Sequence, residues 1–467
     1  MNPTPTLAAP RPVAPRVSPV VTPADITRLP LILVLGCVAA TFLLFLVWPI
    51  NWPIYYPEDW ARLIAYVVLC LLMIGGAAWA GSAGSTRATA PLPYLSPLLA
   101  FGALAAALLL VPTSYTYTGR PPWQVLDALR DQAAAYRRLQ AQISGVAGQH
   151  LDLALLRAAF APLTYAVLPL GILNWRTIGW SGRLAVAVTA GSSVVFSIMR
   201  GTDKEIADLF VAGASALFVS WGRSWACGLR GARLLGRYWR WGLLAVVFVY
   251  VAQGLYTERK DERLNFSRFD RTTVCANASR ICANLDNPWI AWLPLRERFG
   301  VTLFILSTCS GYYGLHLAMD KPFESSFGVG HSPVAINLYE AVTKDRTPHL
   351  RTYTYRIGDD GWSEEHDWST LPTWLANDVG FPGAVLVLGV IGYLWGKWWR
   401  EAAAGMSDPA AVLFALATTM MVYFPANNQL FLLADGYAVL AVWTLIWLWH
   451  RRRQALSAVV SAYPEQA

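Results

Sequence analysis

An all-α fold is predicted, a polytopic bundle of about ten transmembrane helices with a large polar loop on the non-cytoplasmic side, and three features of the sequence predict it. Of 467 residues, 55% are hydrophobic and 14% charged, whereas a soluble domain carries about a quarter charged residues. Apolar runs long enough to cross a bilayer recur along the chain. The basic residues between them fall on alternate links. The net charge of +8 is dispersed among apolar spans instead of gathered in a basic domain, which argues for membrane orientation and anionic lipid or glycolipid, not nucleic acid.

Residues 1–27 are rich in Pro, Ala, Thr and Val, with Arg11 and Arg16, and read as a disordered cytoplasmic tail. The first apolar run, Leu29 to Ile50, is long enough to span, since about 20 residues at 1.5 Å each cross a hydrocarbon core of roughly 30 Å. A cleavable signal peptide would need a shorter apolar core near the start and a small-residue cleavage site, so this run reads as an uncleaved first helix. Further spans are predicted near 63–82, 92–111, 155–174, 184–199, 206–221, 241–256, 380–396, 409–424 and 430–449. The chain thus divides into an N-terminal bundle, 28–256, with a polar loop at 112–152, a large loop at 257–379, C-terminal helices at 380–450 and a tail at 451–467.

Orientation follows from the links. Arg87, Arg176, Arg183, Arg223, Arg230, Arg233, Arg237, Arg240, Lys397, Arg400 and Arg451–Arg453 all fall on one side. The positive-inside rule makes that side, and both termini, cytoplasmic. The stretch 112–152, the turn Arg200–Glu205, the loop 257–379 and the turn Pro425–Gln429 then lie outside. Gly300 to Met319 is also apolar enough to span, but one more crossing would carry Lys397, Arg400 and Arg451–Arg453 outside, so it reads as a re-entrant or interfacial helix. Cys37, Cys70 and Cys227 read as packing residues, while Cys275 and Cys282 sit in the outer loop, where an oxidising compartment allows a disulfide. The sequence holds neither paired CxxC motifs nor HExxH nor a carboxylate-rich calcium loop, so no metal or other cofactor is expected.

Several outer segments offer chemistry. Arg200-Gly201-Thr202-Asp203-Lys204-Glu205, followed by Asp208, closes a tight helical hairpin. It reads either as a solvated turn whose long side chains snorkel, or as a cradle for phosphate or diphosphate in which Arg200 offers a planar fork and Lys204 a point charge. Tyr115-Thr116-Tyr117-Thr118-Gly119-Arg120 leads into an amphipathic stretch with Arg130, Arg137 and Arg138, which suits sugar stacking or an interfacial helix. Gly311-Tyr312-Tyr313-Gly314-Leu315-His316 is followed by Phe327-Gly328-Val329-Gly330-His331. His331, in a Gly-rich outer loop, can bind or shuttle a proton near neutral pH or can be a hydrogen-bonded structural residue, while His316 reads as packed. The acidic run Glu364, Glu365, His366, Asp367 can supply a base or a solvated turn. The junction Asn427-Asn428-Gln429 can bind sugar hydroxyls or satisfy broken helical backbone.

The turn RGTDKE, the segments GYYGLHLAMDKPF and FGVGHSP, the helix-opening NDVGFPG and the junction YFPANNQ together resemble the bacterial oligosaccharide repeat-unit polymerases, the Wzy-type O-antigen polymerase family, over roughly 110–430. The resemblance implies a metal-independent, integral-membrane glycosyltransferase of the C type, working at the periplasmic face of the inner membrane on polyprenyl-diphosphate-linked oligosaccharides. It implies as partners the lipid bilayer and a chain-length regulator. Developing charge on the diphosphate leaving group would be met by Arg200, Lys204 and Arg120, with Tyr313 and Asn428 toward the sugars. His331, Asp203 or Glu324 would serve as the base that takes the acceptor proton, and the sequence does not choose among them. An O-antigen ligase would share this chemistry, whereas a transporter would show inverted repeats and mid-span charges, which the sequence lacks.

Overall fold

The computed structural model describes residues 20–21, 27–87, 89, 92–146, 151–264, 273–275, 281–364 and 367–462. Most of the predicted N-terminal tail lies outside the described residues, as do Glu365 and His366 of the acidic run.

The described chain is mostly helical. Its first half holds α1 (Leu29–Val47), α2 (Pro57–Ser82), α3 (Leu95–Thr118), α4 (Val125–Arg130), α5 (Gln132–Val146), α6 (Leu151–Leu173), α7 (Trp180–Arg200), α8 (Lys204–Ala226) and α9 (Gly231–Leu264). The region predicted as a large loop contains α10 (Leu295–Cys309), α11 (Gly311–Met319), α12 (Pro333–Thr343), α13 (Thr347–Arg351) and α14 (Tyr353–Arg356). Three long elements follow, α15 (Leu371–Ala403), α16 (Asp408–Val422) and α17 (Ala434–Ala462). Among the described residues eight helices, α1, α2, α3, α6, α7, α8, α9 and α15, are long and apolar enough to cross a membrane. The chain is therefore an all-α, multi-pass membrane protein.

The other two predicted spans are helical as well, but differ in kind. α16 has 15 residues, and nearly every one is buried, as expected for a helix that is apolar all round and enclosed by its neighbours. α17 continues through the basic run Arg451–Arg453 and on to Ala462, so the first part of the predicted tail is helical. The stretch 300–319 is two short helices, neither long enough to span, packed on protein. Trp48 donates to the Thr302 hydroxyl at 3.1 Å, and the Tyr312 and Thr41 hydroxyls are 3.0 Å apart.

Two small antiparallel pairings accompany the bundle. β1 (Val20–Val21) pairs with β3 (Thr86–Arg87), and β2 (Ile50–Asn51), β5 (Cys282–Asn284) and β4 (Thr273–Cys275) form a sheet in the order β2-β5-β4. Ile50 lies opposite Ala283 and Cys275 opposite Cys282, and these cysteines are disulfide-bonded. The α1–α2 connection is thereby stitched to the segment before α10. α15 packs along α2 and against α16, with the bulky apolar side chains Trp395, Trp399 and Phe414 fully buried between them. At the end of the bundle that carries 257–379, called here the loop end, α15 is broken, and the site is built on that break.

Candidate functional site

α15 begins where Thr370 accepts from the Thr373 amide, with Pro372 in the first turn, a start that leaves fewer amide donors unmet. The helix is interrupted at Gly380, whose φ of 68° and ψ of 171° are open to glycine. Pro382 follows and cannot donate back across the break. Asn377 and Asp378 thus close a short helical segment at the loop end instead of sitting inside a continuous span.

The segment between α11 and α12 folds onto this break. Asn377, wholly buried, donates from Nδ2 to the Gly330 carbonyl at 2.7 Å and accepts the Tyr353 amide at 2.8 Å. The Asp378 carboxylate accepts from the Gly330 amide at 2.8 Å and the His331 amide at 3.0 Å. The Ser326 hydroxyl lies 2.6 Å from Asp378 Oδ1 and 2.7 Å from the Asn377 carbonyl, and donates to one of them. A Cβ on Gly330 would stand 2.0 Å from the Ser326 hydroxyl, so only glycine permits this approach. Ser332 then caps α12, with Pro333 in its first turn.

His331 is the centre of the arrangement. Its Nδ1 lies 2.9 Å from Asp378 Oδ2. An ionised carboxylate only accepts, so Nδ1 carries the proton, and the neutral ring leaves Nε2 as an acceptor. That atom receives the Tyr437 hydroxyl at 2.7 Å. Phe431 meets the ring edge-on, and the Asn428 side-chain amide donates to the His331 carbonyl at 2.8 Å. An imidazole whose tautomer is set by a largely buried carboxylate, with its unprotonated nitrogen turned toward a hydroxyl, is arranged as a general base.

This imidazole opens on an apolar crevice of about 440 Å³, within the ordinary range of ligand sites. Gly328, His331 and Asp378 stand at its loop end, and Leu375, Val387, Ile391, Leu394 and Trp398 line it along α15. Beyond the break, Val387 to Trp398 cover roughly 17 Å of helix at about 1.5 Å per residue, so the crevice runs from the break well into the apolar part of α15. Met420 of α16 and Leu440 of α17 form the opposite wall.

The other predicted residues divide into those joined to this site and those held elsewhere. Asn428 belongs to it. Its neighbour Gln429 donates to the Asp208 carboxylate at 3.2 Å, and Lys204 lies 3.9 Å from the same carboxylate. The YFPANNQ junction therefore links the His331 turn to the RGTDKE turn. Arg200 is engaged by Glu205, which also accepts from the Thr202 hydroxyl at 3.1 Å. Asp203 is paired with Arg259, and Glu324 with Arg356 at 2.7 Å. Arg120 follows the left-handed Gly119 that ends α3, and its carbonyl accepts from the Ser114 hydroxyl at 2.9 Å. Tyr313 packs on Trp52 and edge-on to Trp362, and burial pushes its hydroxyl up to about 12.

Two residues of the site carry no role in the sequence reading, Asp378 and Tyr437. Asp378 had a signal, an acid two residues before Gly-Phe-Pro at the head of an apolar run, where a helix break would expose it. Tyr437 had none, since a tyrosine near a helix start is an ordinary interfacial residue. No protein-family model, curated protein or solved structure matches the chain, so the functional reading rests on this geometry.

Proposed function

We propose that the chain is a glycosyltransferase that polymerises polyprenyl-diphosphate-linked oligosaccharide repeat units at the periplasmic face of the bacterial inner membrane. The observation that carries the proposal is the union of a carboxylate-set imidazole with the mouth of a long apolar crevice. A substrate suited to both has a long apolar tail and a polar reacting end that a base can serve, as a lipid-linked glycan has. The loop end is taken as periplasmic on the positive-inside rule.

In the reaction, the growing glycan on lipid diphosphate is the donor. A hydroxyl of the next lipid-linked repeat attacks the donor's anomeric carbon, a new C–O bond forms, and the bond to the diphosphate breaks with its electron pair leaving on the diphosphate oxygen. The acceptor's proton passes to Nε2 of His331, at the position held by the Tyr437 hydroxyl, and Asp378 stabilises the imidazolium that results. Asp203 and Glu324 suit the part of base less well, because each is already engaged by a guanidinium that an acceptor hydroxyl would have to displace.

The test is a deletion strain complemented with wild-type protein or with His331→Ala. Deletion should remove long chains while a single repeat remains attached to lipid A-core, and His331→Ala should fail to restore them at normal abundance. Loss of all repeats from the core would replace the proposal with a ligase. Repeats trapped on the cytoplasmic face would replace it with a transporter.

A further inference from the structure

Phosphate chemistry at the crevice mouth needs a cation that is not already neutralised. Most cations near the loop end are matched to acids: Arg200 to Glu205, Arg259 to Asp203, Arg356 to Glu324, Lys321 to Asp360 and Arg62 to Asp320. Arg351 differs. It is half-buried, and among the described residues its guanidinium makes no ion pair or hydrogen bond. Its contact is with the Phe327 ring, 5.0 Å from the guanidinium carbon. Asp345, half-buried, is the acid that feels its charge, but the two form no direct ion pair, and the Asp345 oxygens accept from the Thr347 amide at 2.9 Å and the Tyr339 hydroxyl at 3.5 Å.

Arg351 is placed at the mouth by two tethers. Phe327 adopts a positive φ of 57° and is followed by Gly328 at 83°, a turn that holds the Phe327 ring outward at the rim while Gly328 lines the crevice beside His331. On the other side of Arg351, Thr352 caps α14 and the Tyr353 amide is fixed to Asn377, the residue before Asp378. α13 itself is clamped, because His349 lies 2.9 Å from Glu340 and 2.6 Å from Glu364. A half-buried guanidinium with no direct ion pair gains when an anion meets it, and its planar fork suits two phosphate oxygens.

We infer that Arg351 is the binding residue that receives the diphosphate of the lipid whose tail occupies the crevice. The inference rests on the crevice reading proposed above. It places the phosphates at the rim beside Phe327, next to the Gly328 that lines the crevice.

Binding of farnesyl diphosphate and of farnesol to the full chain in phosphatidylcholine nanodiscs tests it. Arg351→Ala should weaken farnesyl diphosphate about 10- to 150-fold, the range for losing charge-assisted hydrogen bonds, and leave farnesol unchanged. Arg351→Lys should fall between. Unchanged affinity for farnesyl diphosphate in Arg351→Ala, or an equal loss for farnesol, would overturn the assignment while leaving the crevice reading intact. Wild-type protein that binds neither compound would overturn both. Inorganic diphosphate that competes as well as farnesyl diphosphate would mark a site for free anion and overturn the lipid assignment.

Discussion

Replacing Asp378 with Asn is the most discriminating perturbation of the site, because it changes one atom's chemistry with almost no change in shape. The Asp378 carboxylate receives the Gly330 amide, the His331 amide and His331 Nδ1 at 2.8, 3.0 and 2.9 Å. An amide has one oxygen, so Asn cannot accept on both sides. If its NH2 faces His331, the ring must present a bare Nδ1 and move its proton to Nε2, the atom needed as base. If its oxygen faces His331, the NH2 is driven against the Gly330 amide. General-base catalysis contributes about 10²- to 10⁴-fold, or roughly 3–5 kcal/mol at about 1.4 kcal/mol per tenfold. Asp378→Asn should therefore retain about 1% or less of the wild-type rate of chain extension. The assay is single-turnover extension of lipid-linked repeats in proteoliposomes, with inserted protein quantified and thermal unfolding compared. A variant that inserts normally, unfolds like wild type and extends chains at a third or more of the normal rate would refute the assignment of His331 as base.

Further predictions address the fold around the site. Arg200 and Glu205 are both largely buried, so Arg200→Ala strands a carboxylate and should destabilise the bundle by about 3–5 kcal/mol; the double variant Arg200→Ala, Glu205→Gln should recover folded yield, and failure to recover in size-exclusion profiles would point back to a direct role in substrate binding. The Glu364 and Glu340 carboxylates raise His349 above its ordinary 6.5, so its stabilising contribution is full below that value and is lost as pH rises through the elevated one. Thermal unfolding across pH 5–9 should show the difference between wild type and His349→Gln shrinking as pH rises, and a difference that grows would reverse the sign. Single cysteines near Ser363 and near Gly405 in a Cys-free background should differ in reaction with a membrane-impermeant thiol reagent added outside. Labelling confined to the Gly405 site would invert the proposed orientation.

The sequence by itself determined what depends on near-neighbour composition. Apolar runs of about 20 residues must hide their backbone polar groups in helices wherever lipid is the solvent, so helices appear at each predicted span from Leu29 to Trp449. The basic links and the glycines and prolines around His331 and Gly380 were legible for the same reason, since each acts on its own backbone. What the sequence did not show is the surroundings of α16, because periodicity does not distinguish lipid from an enclosing bundle, and only its burial shows protein on nearly every side.

What only the tertiary structure decided is pairing across long separations. Asp378 lies 47 residues from His331, and Tyr437 lies 106 residues away. Arg200 and Lys204 stand out in the sequence as cations, yet Glu205 and Asp208, a turn away, occupy them in the fold. Arg351 is unremarked in the sequence, and only the fold of the Phe327 turn and the Asn377 tether brings it to the crevice. A charge's function depends on what neutralises it. That is set by side chains meeting in space, where attraction falls off over a few ångströms and burial decides its strength, and no local pattern encodes those meetings.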